Sequence, residues 1–158
     1  MKNKLTVPSE LRVEVPDMLR ARDGRALAQR KLLERFHKPL LFFTMNIPGP
    51  QKVSPLIRMG FEEGVRRLEE ALAKAGIPIL FQKVIDYKTG YEKYYVLGGA
   101  AGTVKEIAAQ LENEDPLGRL FDMDVLDTDG RKLSREELGL PERRCFVCSE
   151  PAKGCARS

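Results

Sequence analysis

An α+β fold is what this sequence predicts, with two helices on one face of a four-stranded antiparallel sheet in the order β-α-β-β-α-β. Three observations predict it. Apolar runs of strand length alternate with stretches of helical period. The two central runs are separated by a connection so short that only a hairpin fits. Proline and glycine stand at nearly every junction between runs. The chain has 158 residues, the size of one domain, and its 42% hydrophobic and 32% charged residues support a packed core.

Residues 1–15 read as an extended arm, followed by a core over 16–127 and a tail over 128–158. Pro16 suits the first turn of a helix that runs to about His37. Along it Met18, Arg22, Arg25, Gln29, Leu32 and Phe36 fall on one face at spacings of 4 and 3. Two readings of this helix stand side by side. In one, the buried face wraps around Ala21, Leu27 and Ala28 and both arginines are solvated. In the other, the middle of the stripe opens onto a cleft where guanidinium groups clamp phosphates.

Leu40 to Ile47 reads as the first strand, ended by Asn46-Ile47-Pro48-Gly49-Pro50. Ser54-Pro55 supplies a cap and a first-turn proline for the next helix, whose buried face is Phe61, Val65, Leu68 and Leu72. Gly60 and Gly64 lower its helix propensity and therefore point to close packing against a neighbour. Ala75-Gly76 and Pro78 stop it. Ile77 to Asp86 and Glu92 to Leu97 form a hairpin through Tyr87-Lys88-Thr89-Gly90. A third helix over Ala101 to Glu112 follows, with Val104, Ile107, Ala108 and Leu111 apolar, and the last strand spans Gly118 to Leu126. Ser134 caps a short helix from Arg135 to Gly139. The order is that of a ferredoxin-like sandwich, an arrangement also found in the palm of many nucleotidyltransferases, with an added N-terminal helix and a cysteine-containing tail.

A net charge of +4 falls short of a dedicated nucleic-acid binder but suits a phosphate-bearing ligand or an acidic partner. No apolar run reaches the roughly 20 residues of a membrane helix, and Met1 to Glu14 carries no signal-peptide core, so a soluble cytoplasmic protein is expected. Three cysteines, all near the C-terminus, cannot complete a disulfide framework and suit a reducing compartment.

The chemistry concentrates in Gly118-Arg119-Leu120-Phe121-Asp122-Met123-Asp124-Val125-Leu126-Asp127. Residues two apart on a strand share a face, so Asp122 and Asp124 present adjacent carboxylates, a costly arrangement unless a cation lies between them. Mg²⁺ is the hard cation expected there, sharing its coordination with phosphate oxygens. Cys145, Cys148 and Cys155 have the spacing of three zinc ligands, but a fourth is missing locally; three reduced thiols fit as well as a structural zinc. With His37 far away in the sequence, nucleophilic cysteine chemistry is not expected.

Taken together, several runs resemble one family. They are Arg22-Asp23-x-Arg25-x3-Gln29, Asn46-Ile47-Pro48-Gly49-Pro50, Thr89-Gly90-x-Glu92, Arg119-Leu120-Phe121-Asp122-Met123-Asp124-Val125, Gly130, Ser134-Arg135, Arg144-Cys145-x2-Cys148, and Pro151-Ala152-x2-Cys155-x-Arg157. In this order they resemble the holo-acyl-carrier-protein synthases of citrate lyase, over about residues 16–157. The resemblance implies a nucleotidyltransferase that moves a prosthetic group from 2'-(5''-triphosphoribosyl)-3'-dephospho-CoA to a serine of the apo acyl carrier (gamma) subunit, with release of pyrophosphate.

For that chemistry Asp122 and Asp124 are the expected magnesium ligands. Arg22, Arg25 and Arg119 are expected on phosphate oxygens, with Lys52 from the turn; Gln29 and Arg135 join the donor-binding set through their motifs. Asp127 is the candidate base for the carrier serine. In the family it resembles, the chain runs on past the last cysteine with further Arg and His residues, and a histidine there would complete a Cys3His zinc site with Cys145, Cys148 and Cys155. Two alternatives remain open: the equivalent transferase of malonate decarboxylase, and a non-catalytic ferredoxin-like module binding RNA or protein. The module predicts aromatic residues on an exposed sheet face, where the last strand has aspartates instead.

Overall fold

The computed structural model describes residues 6–145 and 150–152. Helix α1 spans Val15–Phe36, strand β1 Leu40–Met45, helix α2 Pro55–Lys74, strand β2 Ile79–Tyr87, strand β3 Gly90–Leu97, helix α3 Ala101–Asn113 and strand β4 Phe121–Leu126. After α1 the order is therefore β-α-β-β-α-β, as expected. Every sheet pairing is antiparallel, and the strands lie in the order β2-β3-β1-β4.

The alternation of side chains divides the core in two. Leu41, Phe43, Tyr95, Leu97, Phe121, Met123 and Val125 face α2 and α3, where they meet Phe61, Leu68, Leu72, Val104, Ala108 and Leu111. Leu40, Phe42, Tyr94, Val96 and Leu126 face the other way, against Ala28, Leu32, Leu33 and Phe36 of α1. The result is three layers: α1, the sheet, and the α2–α3 pair.

Local chemistry accounts for the boundaries. Ser54 Oγ accepts from Ile57 N at 3.1 Å and starts α2, with Pro55 in the first turn. The paired glycines of α2 do mark a close approach. A Cβ on Gly64 would lie 2.5 Å from the Phe43 ring and 3.0 Å from that of Phe121. The last strand starts later than the sequence suggests, because Gly118–Leu120 forms a 3₁₀ turn. Asp115 Oδ1 accepts from Gly118 N at 2.8 Å, and a Cβ at Gly118 would sit 2.2 Å from the Leu111 carbonyl oxygen. Only glycine fits that corner. Glu136–Leu138 is a single 3₁₀ turn rather than a longer helix, with Ser134 Oγ accepting from Glu137 N at 3.3 Å.

The stripe on α1 is out of phase with the sequence reading in its first half. Asp17, Ala21, Arg25, Ala28, Leu32 and Phe36 turn toward the sheet, whereas Met18 and Arg22 are exposed. Of the alternative face, Ala21 and Ala28 are inward and Leu27 is 44% exposed. Asp17 decides the phase. It accepts from Glu14 N at 2.9 Å, from Arg20 at 2.7 Å and from Lys88 at 3.2 Å, which anchors the first turn of α1 over the hairpin. Among the described residues no helix is long and apolar enough to cross a membrane.

Candidate active site

An edge strand needs partners for its outer backbone groups, and β4 obtains them from α3 and from the chain that follows. Glu112, on the last turn of α3, accepts from Met123 N at 3.1 Å. Phe121 O accepts from Arg143 Nη2 at 2.7 Å. After a turn over Asp127–Gly130 the chain runs back beside β4, where Leu133 N donates to Val125 O at 2.9 Å.

Glu112 also receives Arg135 Nη2 and Arg143 Nη1, each at 2.9 Å, so one buried carboxylate joins helix, strand and tail. Arg143 Nη2 reaches Arg119 O at 2.8 Å as well. This arrangement surrounds a cavity of about 410 Å³ at the β4 edge.

Asp122 and Asp124 share one face of β4, opposite Thr44 and Phe42 in register, and both line this cavity. Lys132 from the returning chain meets Asp124 Oδ1 at 2.8 Å, while the nearest cation to Asp122 is Arg143 at 3.8 Å. Burial, then the charges of Asp124 and Glu112, raise the Asp122 carboxyl above its ordinary value. Asp122 and Asp124, side by side on this face, are the residues that could hold a divalent ion completed by phosphate or water oxygens. Among the described residues no three His, Cys, Asp or Glu converge on a metal-binding group.

Lys105 lines the same cavity from α3, two helical turns before Glu112. It is 6% exposed, and burial pulls its ammonium below the ordinary value, against the opposing charges of Glu112 and Asp124. Lys105, Glu112 and Lys132 did not stand out in the sequence, and Arg143 reads there as part of a solvated loop. A signal existed for the first two: charges seven apart in a helix, each beside a residue of the apolar face.

Arg135 also lines this cavity, buried against Glu112 with 8% of its side chain exposed, so it holds the tail at the cleft wall. The remaining expected residues lie outside the cavity. Asp127 Oδ1 accepts from Thr128 N at 2.7 Å within the turn and does not line the cavity. Arg119 Nη2 donates to Arg144 O at 2.6 Å. Lys52 Nζ donates to Ile47 O and closes the loop after β1, with burial lowering its pKa. Gln29 lines a shallow groove between α1 and the Asp129-Gly130 turn.

Arg25 lines a second cavity, of about 560 Å³, between α1 and the β2–β3 hairpin. It meets Glu92 at 2.5 Å, and Glu92 also accepts from the Tyr94 hydroxyl. Arg22 lines neither cavity. Cys145 is buried; Cys148 and Cys155 lie outside the described residues.

Fold and cleft together define an α+β protein with a mixed-charge site at one sheet edge, where two carboxylates are enclosed by cations. Comparison with known proteins narrows this class. Residues 13–158 match the family described as apo-citrate lyase phosphoribosyl-dephospho-CoA transferase, and the chain belongs to that family. Proteins of that name from Citrobacter koseri, Shigella boydii and Escherichia coli O157:H7 are each 39% identical to it over 145 residues, covering 92% of this chain and 79% of the relative.

Proposed function

We propose that this protein is a nucleotidyltransferase built on a ferredoxin-like, palm-like sandwich. It attaches the 2'-(5''-phosphoribosyl)-3'-dephospho-CoA group to a serine of the apo acyl carrier (gamma) subunit of citrate lyase, in the cytoplasm. The donor is the 5''-triphosphate. The serine oxygen forms a bond to the α-phosphorus, the bond from that phosphorus to the β-phosphate bridge breaks, and pyrophosphate leaves with one proton released. The observation that carries the reading is the family match across nearly the whole chain. The paired Asp122 and Asp124 in a mixed-charge cleft with Lys105, Lys132 and Arg143 support it, since phosphoryl transfer depends on positioning and charge neutralisation.

In this reading Asp122 and Asp124 hold Mg²⁺, which would neutralise charge on the phosphates when bound. Lys132 orients Asp124 through their ion pair. Arg143 aligns the β4 edge through Glu112 and the Phe121 carbonyl.

Intact-mass spectrometry of the apo carrier, incubated with this protein, magnesium and the triphosphate donor, tests the proposal. A gain of one prosthetic group is expected. Asp122→Asn and Asp124→Asn should each slow it by about a hundredfold or more. No gain with the wild-type chain would refute the function; a gain at full rate in both variants would refute the site.

A further inference from the structure

Six polar or charged residues are buried among those described: Asp17, Glu92, Lys93, Lys105, Glu112 and Arg135. Five have direct ionic partners, Asp17 with Arg20, Glu92 with Arg25, Lys93 with Glu69, and Glu112 with Arg135. Lys105 makes no hydrogen bond or ion pair among the described residues, although it lies on α3 beside the buried Val104 and Ala108. No buried side-chain nitrogen or oxygen among the described residues lacks a hydrogen-bond partner, so the Lys105 stem is buried while its ammonium opens onto the cleft, where a ligand can reach it.

The obvious internal partners are already engaged. Glu112 accepts from Met123 N, Arg135 and Arg143, and Asp124 is held by Lys132. Arg135 and Arg143 in turn are committed to Glu112 and to backbone carbonyls. Lys105 is thus the buried cation lining the β4-edge cleft whose donors remain unused by the described residues.

We propose that Lys105 binds the outgoing diphosphate of the donor, its ammonium contacting β- and γ-phosphate oxygens beside Asp122 and Asp124. The proposal rests on the transferase reading for the identity of the anion. Lys105 enters the cleft from α3, while the two aspartates enter from β4. A metal–diphosphate complex between them would receive carboxylate oxygens on the metal and an ammonium on the phosphates. The lining carries one more carboxylate than it has cations, so a free polyanion is disfavoured and binding requires the divalent ion. Departing charge stabilised in this way accelerates the step that releases it.

Calorimetric titration of the 158-residue chain with inorganic pyrophosphate, with and without magnesium, tests this directly. Wild type should bind only with magnesium. Lys105→Met should weaken that binding by about tenfold or more, whereas Lys105→Arg should keep most of it. The melting temperature of Lys105→Met should be unchanged or higher, because methionine fills the space of the buried stem.

Equal affinity in wild type and Lys105→Met would overturn the proposal, as would absence of pyrophosphate binding to wild type. A lowered melting temperature in Lys105→Met would overturn it too, since it would mean that the lysine holds the fold. The titration requires neither donor nor carrier. A wild-type chain that binds pyrophosphate through Lys105 yet transfers nothing would therefore count against the function and not against this residue.

Discussion

Replacing Glu112 by alanine removes the carboxylate on which α3, β4 and the tail converge. The side chain is 4% exposed and accepts from Met123 N at 3.1 Å and from Arg135 and Arg143 at 2.9 Å each. Its loss leaves the Arg135 guanidinium, 8% exposed, without its anion and opens one amide of an edge strand. Breaking a buried ion pair by removing one partner costs about 3–5 kcal/mol. The Arg143 side chain is 25% exposed and water recovers part of its loss, so the lower half of that range applies, about 3–4 kcal/mol. For a chain of this length that corresponds to a fall of roughly 10 °C in melting temperature. Urea unfolding followed by circular dichroism measures it. Glu112→Ala combined with Arg135→Met should be less destabilised than the sum of the two single changes, because the second removes the charge that the first strands. A loss under about 1 kcal/mol, or strict additivity, would falsify the view of Glu112 as the junction.

Three further outcomes are expected. Gly64→Ala drives a methyl group into the Phe43 ring, which is wedged against Phe61 and Phe121, and should cost about 1–3 kcal/mol in thermal melts; a neutral change would mean that α2 can move away. Because burial, Asp124 and Glu112 raise the Asp122 carboxyl, the folded state holds that proton more tightly than the unfolded one, and stability declines as pH rises above the ordinary value of 3.8. Asp122→Asn should therefore melt higher than wild type at pH 7 and lose this advantage at pH 3, while the reverse order would contradict the assigned cause. Arg25→Ala strands the buried Glu92 and should cost about 3 kcal/mol, whereas Arg22→Ala on the outer face should stay within about 0.5 kcal/mol; equal effects in chemical denaturation would refute the observed phase of α1.

Local signals carried much of the fold. Ser54-Pro55, the Tyr87–Gly90 turn, Pro78 and the apolar periods of α2 and α3 each act within a few residues, so the order of elements and the close approach at Gly64 were legible. The pairing of Asp122 with Asp124 was legible for the same reason, since alternation along a strand needs no knowledge of the neighbours. The side of α1 that meets the sheet was not. Its polar and apolar residues support two phases, and the choice falls to Asp17, whose partners include Lys88 across the hairpin.

By itself the sequence determined an α+β chain in the order β-α-β-β-α-β with two carboxylates together on its last strand, and its motifs pointed to the family. Only the tertiary structure decided which cations accompany them. It turned Arg135 inward onto Glu112, spent Asp127 on its own turn, kept Arg22 outside, and brought Lys105, Lys132 and Arg143 to the β4 edge. The physical reason is range. Backbone propensity and side-chain alternation are properties of neighbours in the chain, whereas a buried charge is assigned by whichever partner the folded layers bring within about 3–4 Å, and those partners lie on other elements.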